Sequence, residues 1–133
     1  MTEPILFPDP VVVSRTWLAP LVAPVAVGQK RARDNAPVEF VQLVRTGGQR
    51  AGLVIDGAQL TVTCWAATDI RSAELASIVR AHLGAMTGQT VGTATVYAVV
   101  ETGGPYSNPD PDSGSPRHTF TVTVNVRGVA LSG

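Results

Sequence analysis

The chain has 133 residues, of which 44% are hydrophobic, and it carries ten basic and ten acidic side chains. This length and composition predict one domain over residues 1–133 and exclude a chain that is disordered throughout. A formal net charge of zero gives no strong field for polyanions, which argues against nucleic-acid binding by bulk electrostatics.

The first predicted element is a helix that begins at Asp9-Pro10. Aspartate can cap the free amides of a helix, and proline is tolerated at the first helical position. Pro20 and Pro24 are expected to end this helix. Its apolar side would carry Val13, Trp17 and Leu21. The three consecutive valines at 11–13 instead favour a strand, so both interpretations stay open.

Residues 25–37 are predicted to form a short strand that runs into a polar loop. The loop carries a basic cluster of Lys30, Arg31 and Arg33. One interpretation is an ordinary solvated loop. The other is contact with an acidic partner or with passing DNA.

The next strand is predicted for residues 38–45, which are rich in β-branched and aromatic side chains. Val38, Phe40 and Val44 would share one face, and Val41 and Leu43 would lie on the other, so both faces are expected to be covered. The glycine pair at 47–48 is expected to turn the chain.

Residues 59–67 alternate as a strand does. One face carries Leu60, Val62, Cys64 and Ala66, and the other carries Thr61, Thr63 and Trp65. Cys64 is therefore predicted to be a small core residue rather than a reactive thiol. Trp65 would either cover the back of the sheet or meet a neighbouring subunit.

Residues 68–86 show the clearest helical pattern. The apolar stripe consists of Leu75, Ile78, Val79, His82, Leu83 and Met86. Thr68 or Asp69 can cap the start, and Gly88 can follow the end. His82 is interpreted as a satisfied core or edge histidine, because no second ligand lies one turn away.

Two strong strands are predicted for residues 93–101 and 118–127. In the second, the inward positions are Phe120, Val122, Val124 and Val126. The strands flank the proline-rich stretch at about 103–118, so they predict an antiparallel hairpin with a long tip near the C-terminus. Because common hairpin turns are much shorter, this tip is interpreted as an extended assembly arm.

This order of elements predicts an α+β fold. We expect a small antiparallel or mixed β-sheet with two helices packed on one face, and the long hairpin close to the C-terminus. The only cysteine, Cys64, allows no disulfide within the chain. The N-terminus lacks the pattern of a signal peptide, and no apolar run approaches the roughly 20 residues that span a bilayer.

Titratable groups crowd only in the proline-rich stretch, at Asp110, Asp112 and His118. A small metal-dependent hydrolase could use these groups. However, Ca²⁺ needs about six to eight oxygen ligands, and no nucleophile in a sheltered pocket is implied. Aspartate and asparagine followed by proline are common turn formers, which is the simpler interpretation. We therefore expect no catalytic residues, no metal and no cofactor.

Four segments carry a resemblance to a known family: FPDPVVVSRTWLAPLV, PVEFVQLVRTGG, LTVTCWAATDIRSAELASIVRAHL and GGPYSNPDPDSGSPRHTFTVTVNVRG. In this order and spacing they resemble the tail terminator proteins of long-tailed, siphovirus-type bacteriophages, especially those of actinobacteria. The segments cover most of the chain. The resemblance implies a small α/β domain that assembles into a ring, usually of six copies.

The resemblance further implies a virion protein at the junction of tail and neck, assembled in the host cytoplasm. Such a ring caps the head-proximal end of the tail tube, ends tube polymerisation, and contacts the major tail tube protein and the head-closure proteins. Phage DNA passes through its lumen without sequence-specific binding, and no membrane is involved. Another neck ring protein, either head-closure or adaptor, remains an alternative, as does a monomeric peptide-binding module.

Candidate contacts between subunits or with partners follow from the enrichment of Trp, Tyr and Arg at interfaces and from position. They are Arg15, Trp17, Lys30, Arg31, Arg33, Arg45, Trp65, Tyr106, Asp110, Asp112 and Arg117.

Overall fold

The structure, a computed structural model, describes residues 4–131 as an α+β fold with two helices and two sheets. The elements are β1 (Ile5–Leu6), α1 (Pro10–Val22), β2 (Ala26–Gly28), β3 (Phe40–Arg50), β4 (Ile55–Trp65), α2 (Asp69–Gly84), β5 (Thr90–Val91), β6 (Ala94–Ser107), β7 (Arg117–Arg127) and β8 (Val129–Ala130). The larger sheet has six strands in the order β2-β3-β4-β7-β6-β5. Its β2–β3 pair is parallel and its other pairs are antiparallel. Strands β1 and β8 form a separate antiparallel pair.

The core lies between the two helices and one face of the six-stranded sheet. Alternate residues of β4 and β7 point into it, as the sequence pattern predicts. Val62 pairs with Phe120, and both side chains are fully buried. Cys64 is also fully buried, and burial raises the pKa of its thiol to about 12. The predicted fold class and the predicted core role of Cys64 are therefore confirmed.

The first predicted helix is confirmed, and its cap is the expected one. A side-chain oxygen of Asp9 accepts a hydrogen bond of 2.9 Å from the backbone N–H of Val11. The prediction that Pro20 ends the helix is wrong, because α1 continues to Val22. Burial of Leu18 and Val22 anchors the last turn and offsets the backbone hydrogen bond that Pro20 cannot make.

The buried stripe of α1 also differs from the predicted one. Ser14, Leu18 and Val22 are buried at a spacing of four residues, together with Val13. Leu21, which was predicted to face the core, is 45% exposed. The run of three valines at 11–13 does not show which of them faces the core. The packing of α1 on α2 and on the sheet decides which side of the helix is buried.

The second helix begins as predicted, with the Thr68 hydroxyl accepting a 3.1 Å hydrogen bond from the N–H of Arg71. Leu75, Leu83 and Met86 are buried, in agreement with the predicted stripe. Ile78, however, is 37% exposed and His82 is half-buried. The small residues Ser72 and Ala76 of α2 are fully buried instead. None of the helices in residues 4–131 is both long and apolar enough to cross a membrane.

Strands β3 and β4 are longer than predicted, and the glycine pair between them does not turn the chain. Gly47 and Gly48 lie within β3, where the register with β4 shifts after Arg45. Gly48 has a φ of +87°, a conformation that glycine supplies in some β-bulges as well as in turns. The chain turns at residues 51–54 instead. Val38 precedes β3 and is 58% exposed, so its predicted place in the strand is wrong.

The predicted C-terminal hairpin is present, but its tip is much shorter than residues 103–118. Strand β6 continues to Ser107 and β7 begins at Arg117, so only residues 108–116 form the tip. The glycines and the proline at 103–105 are accommodated inside β6 by shifts of register. An outer strand tolerates such residues, because it need not offer every backbone amide to a neighbour.

An ion pair joins the start of β3 to α2. Arg71 donates to both carboxylate oxygens of Glu39 at 2.7 and 3.0 Å, and this hydrogen bonding and charge lower the pKa of Glu39 from 4.5. The folded state therefore gains stability above about pH 4.5 and loses it as the pH falls through the lowered pKa.

We expect Glu39→Gln to lower the free energy of unfolding at pH 7 by roughly 0.2–1 kcal/mol, since both side chains are partly exposed. The difference from the wild type should shrink as the pH falls towards 3, because a protonated Glu39 carboxyl no longer pairs with Arg71. Urea unfolding at pH 7 and pH 3 measures the difference in the free energy of unfolding between the variant and the wild type. Asp34→Asn, at an exposed loop residue, is the matched control. An equal loss at both pH values would contradict the prediction.

Candidate functional site

A cleft of about 660 Å³ opens on the sheet face opposite the helices, at the end where β4 stops and β7 starts. One wall is the loop after β2, with Lys30, Arg31 and Arg33, and the other is the hairpin tip, with Asp110 and Asp112. Trp65 and Arg117 also line it. We call this the Trp65 cleft. It brings together seven of the residues that the sequence predicts as contacts.

Trp65 is covered by its own chain. It lies on the outer sheet face, as predicted, yet it is only 5% exposed. Phe40 packs against it edge to face, with ring centroids 6.1 Å apart. The guanidinium carbons of Arg31 and Arg117 each lie 5.4 Å from the Trp65 ring centroid. Of the two predicted roles for Trp65, covering the back of the sheet is the one that the monomer displays.

Backbone carbonyls hold both arginines in place. Arg31 donates from Nε and Nη2 to the carbonyl of Pro37 at 3.1 and 2.8 Å, and Arg117 donates from Nε to the carbonyl of Asn108. The ion pairs found within residues 4–131 involve neither of these arginines, nor Lys30, nor Arg33. The cleft therefore holds four cationic side chains without a close ion pair in the described chain, although the charge of Arg117 contributes to the lowered pKa of Asp110.

The hairpin tip is a turn with its own hydrogen bonds rather than an extended arm. Asp110 accepts from the N–H of Asp112 at 3.0 Å through its side chain and from the N–H of Gly114 at 2.7 Å through its carbonyl. The pKa of the Asp110 carboxyl is lowered, mainly by the hydrogen bond from Asp112. The short tip thus forms a fixed wall of the cleft, which corrects the predicted long arm.

The structure does not assemble Asp110, Asp112 and His118 into one site. His118 lies on the inner face, where its Nδ1 is 2.7 Å from the hydroxyl of Ser72. Ser72 is fully buried, so its hydroxyl is not placed to meet a substrate. Within residues 4–131, no three His, Cys, Asp or Glu side chains are grouped as a metal site would require.

The other predicted contact residues lie apart from the cleft. Arg15 is exposed on α1, and Tyr106 is 56% exposed near the end of β6. Trp17 links the helices, because its indole N–H donates to the carbonyl of His82 at 2.7 Å. Arg45 forms a two-point ion pair with Asp56 at 2.8 and 3.0 Å, and the hydrogen bond to Asp56 raises the pKa of Arg45.

Two strand edges without a partner are the main feature whose position the sequence did not predict. Strand β2 covers only Phe40–Gln42 of β3, and β5 covers only Ala94 and Thr95 of β6. The turn after α2 adds hydrogen bonds up to Val99. Within the described part of the chain, β3 beyond Gln42 and β6 beyond Val99 therefore have no strand on their outer sides. A short strand was predicted within residues 25–37, where β2 lies, but its length and its pairing with β3 follow from no local pattern, and the two-residue strand β5 was not predicted.

An aliphatic patch at the opposite end of the sheet was also missed. Its members are Leu6, Leu53, Val54, Val129 and Leu131, which are 38–73% exposed. The N–H of Gly128 donates to the carbonyl of Val54 at 2.7 Å, and this bond ties β8 to the β3–β4 turn. Since β4 runs from this end to Trp65, the patch and the Trp65 cleft lie at opposite ends of the strands.

Comparison of the sequence with protein-family models and with curated proteins gives no match.

Proposed function

We propose that this chain is a structural virion protein that forms a ring, of six copies by the family resemblance, on the head-proximal end of a phage tail tube. The ring ends tube polymerisation and offers its other side to head-closure and neck proteins. The observation that carries the proposal is the pair of uncovered edges on β3 and β6, at opposite sides of one sheet.

Uncovered edges of this length are a liability in a monomer, because their free backbone groups can pair with any strand. Two copies can satisfy them if β6 of one pairs beside β3 of the next. That contact joins two different surfaces, so it is head-to-tail and closes into a ring when the rotation per subunit divides a full turn. The two edges belong to one sheet, and pairing them would extend the sheet around the ring.

The two ends of the sheet support the proposal in a second way. One end carries the aliphatic patch, and the other carries the Trp65 cleft with its surplus of positive charge. In a ring of parallel subunits, each end would be displayed on one rim. A terminator has to bind the tube on one side and the neck on the other, and chemically different rims suit two different partners.

A monomeric peptide-binding module is the second candidate, and the same uncovered edges favour it. A peptide can add to a free strand edge through backbone hydrogen bonds without any assembly of the protein. The two proposals differ in the mass of the particle in solution.

Light scattering and negative-stain electron microscopy of the purified protein, with and without major tail tube protein, test the ring. We expect rings with a central hole, or tubes that carry a cap at one end and stop growing. A stable monomer at every concentration, even with tube protein added, would refute the ring and favour the peptide-binding module.

A variant on the β6 edge gives a sharper test. Val100 is 50% exposed on the uncovered part of β6, so a lysine there would place a charge on the edge that has to pair with a neighbouring copy. We expect Val100→Lys to weaken ring formation by at least about tenfold in protein concentration, as edge charges oppose strand pairing.

Ile70→Lys is the matched control, because Ile70 is 82% exposed in the first turn of α2 and belongs to neither of the two edge strands. It should assemble as the wild type does. Circular dichroism of both variants checks that each remains folded. Normal rings from Val100→Lys would rule out edge pairing through β6.

A further inference from the structure

We infer that the Trp65 cleft is a docking site for an acidic segment of a partner protein, whose carboxylates bind the guanidinium groups of Arg31 and Arg117. The inference goes beyond ring formation, because each single copy carries the whole cleft and could use it without assembling.

The charges that line the cleft favour an anion. Four cationic side chains, Lys30, Arg31, Arg33 and Arg117, face two carboxylates, those of Asp110 and Asp112. The surplus is notable in a chain whose formal net charge is zero. The Asp110 carboxylate already accepts the N–H of Asp112 within the tip, so part of its capacity is used there.

The two arginines repel each other as the cleft stands. Each guanidinium carbon is 5.4 Å from the centroid of the same ring, so the two lie at most twice that distance apart. At physiological ionic strength the screening length is about 8 Å, so salt largely screens the repulsion at that upper limit and screens it less at shorter separations. A carboxylate bound beside either guanidinium would offset part of this positive charge.

Both arginines also keep donors free for such a ligand. A guanidinium has about five N–H donors. Within residues 4–131, Arg31 uses two of its donors on Pro37 and Arg117 uses one on Asn108. These bonds and the stacking on Trp65 hold both groups in position before a ligand arrives, which lowers the entropy cost of binding. The Trp65 indole N–H is a further buried donor without an acceptor in the described chain.

A carboxylate suits this geometry better than a nucleic-acid backbone does. Planar guanidinium forks match planar carboxylates with two parallel hydrogen bonds. Nucleic-acid binding draws instead on a long basic strip that contacts many phosphates. Here the basic region is short, and the wall opposite Lys30 carries Asp110 and Asp112, which would repel a phosphate chain that runs through the cleft.

Fluorescence titration of the full chain tests the inference. The chain has two tryptophans, so Trp17→Phe makes Trp65 the only one, and circular dichroism checks its fold. The probes are a ten-residue peptide of alternating Glu and Gly, the same peptide with Gln for Glu, and a single-stranded ten-nucleotide DNA. We expect the Glu peptide alone to shift the emission of Trp65, with an affinity that falls as salt is added.

In the same background, Arg117→Gln and Arg31→Gln should each weaken binding of the Glu peptide about tenfold, as expected for hydrogen bonds between charged groups. Arg117→Lys keeps the charge but loses the planar fork, so it should also bind more weakly than the wild type. Arg15→Gln, an exposed arginine on α1, is the matched control and should bind as the wild type does.

Three results would overturn the inference. The first is no response to the Glu peptide, and the second is equal binding of the Gln peptide. The third is tighter binding of the DNA, together with unchanged affinity for the Glu peptide in Arg31→Gln and Arg117→Gln. The ring proposal is judged separately by microscopy, so rings that form normally in Arg31→Gln and Arg117→Gln would leave that proposal standing whatever the peptide does.

Discussion

Phe120→Ala is expected to lower the free energy of unfolding by about 3–5 kcal/mol. Phe120 has the largest of the fully buried side chains and lies on β7, in the middle of the sheet. It pairs with Val62 of β4 and packs under the helices. Removal of the ring leaves a cavity that the surrounding strands cannot close, so the lost burial and the cavity both add to the cost.

This loss is a large part of the free energy of unfolding of a single domain, which is roughly 5–15 kcal/mol. Urea unfolding followed by circular dichroism measures it. Thr121→Ala is the control, since Thr121 is the next residue of β7 and points to the partly exposed outer face. It should cost less than about 1 kcal/mol. A similar small loss for Phe120→Ala would mean that the core is not centred on β7.

Gly48→Ala is expected to cost roughly 2–4 kcal/mol, from backbone strain and steric overlap together. Gly48 has a φ of +87° at the bulge of β3, a region that residues with a Cβ rarely adopt. A Cβ there would overlap the carbonyl oxygen of Gly57 and lie 2.6 Å from the backbone nitrogen of Gln59. Both neighbours belong to the backbone of β4, so neither can swing aside as a side chain could.

Gly52→Ala is the matched control, because no atom lies within 4 Å of the Cβ position at Gly52. Thermal unfolding should separate the two variants clearly. Gly48 lies on the uncovered part of β3, so its replacement should also reduce ring formation if the β3 edge takes part in assembly. Equal stability of the two alanine variants would show that the bulge is not tightly held.

Much of the secondary structure could be predicted from the sequence, because it depends on local chemistry. Asp9-Pro10 and Thr68 mark the helix starts through caps that need only their immediate neighbours. The alternation of β7 places Phe120 and its partners on the inner face regardless of what packs there. The errors at Leu21 and Pro20 arise where packing between elements overrides a local preference.

The places of the glycines and the proline in the sheet do not follow from residue type alone. The pair at 47–48 indicates a positive φ, which serves a turn or a bulge equally well, and only the register with β4 selects the bulge. The stretch at 103–105 was assigned to the hairpin tip, yet it lies in β6, where the open outer edge tolerates it. Residue type predicted the local conformation in these cases but not its place in the sheet.

The sequence by itself determined the fold class, the second helix, the approximate positions of the four long strands, and the faces of β4 and β7 that enter the core. Those features follow from spacing along the chain. Only the tertiary structure decided that Arg31, Trp65 and Arg117 meet in one cleft and that β3 and β6 keep open edges. Both depend on which strands lie side by side, and strand pairing joins residues far apart in sequence, whose contacts no local pattern records.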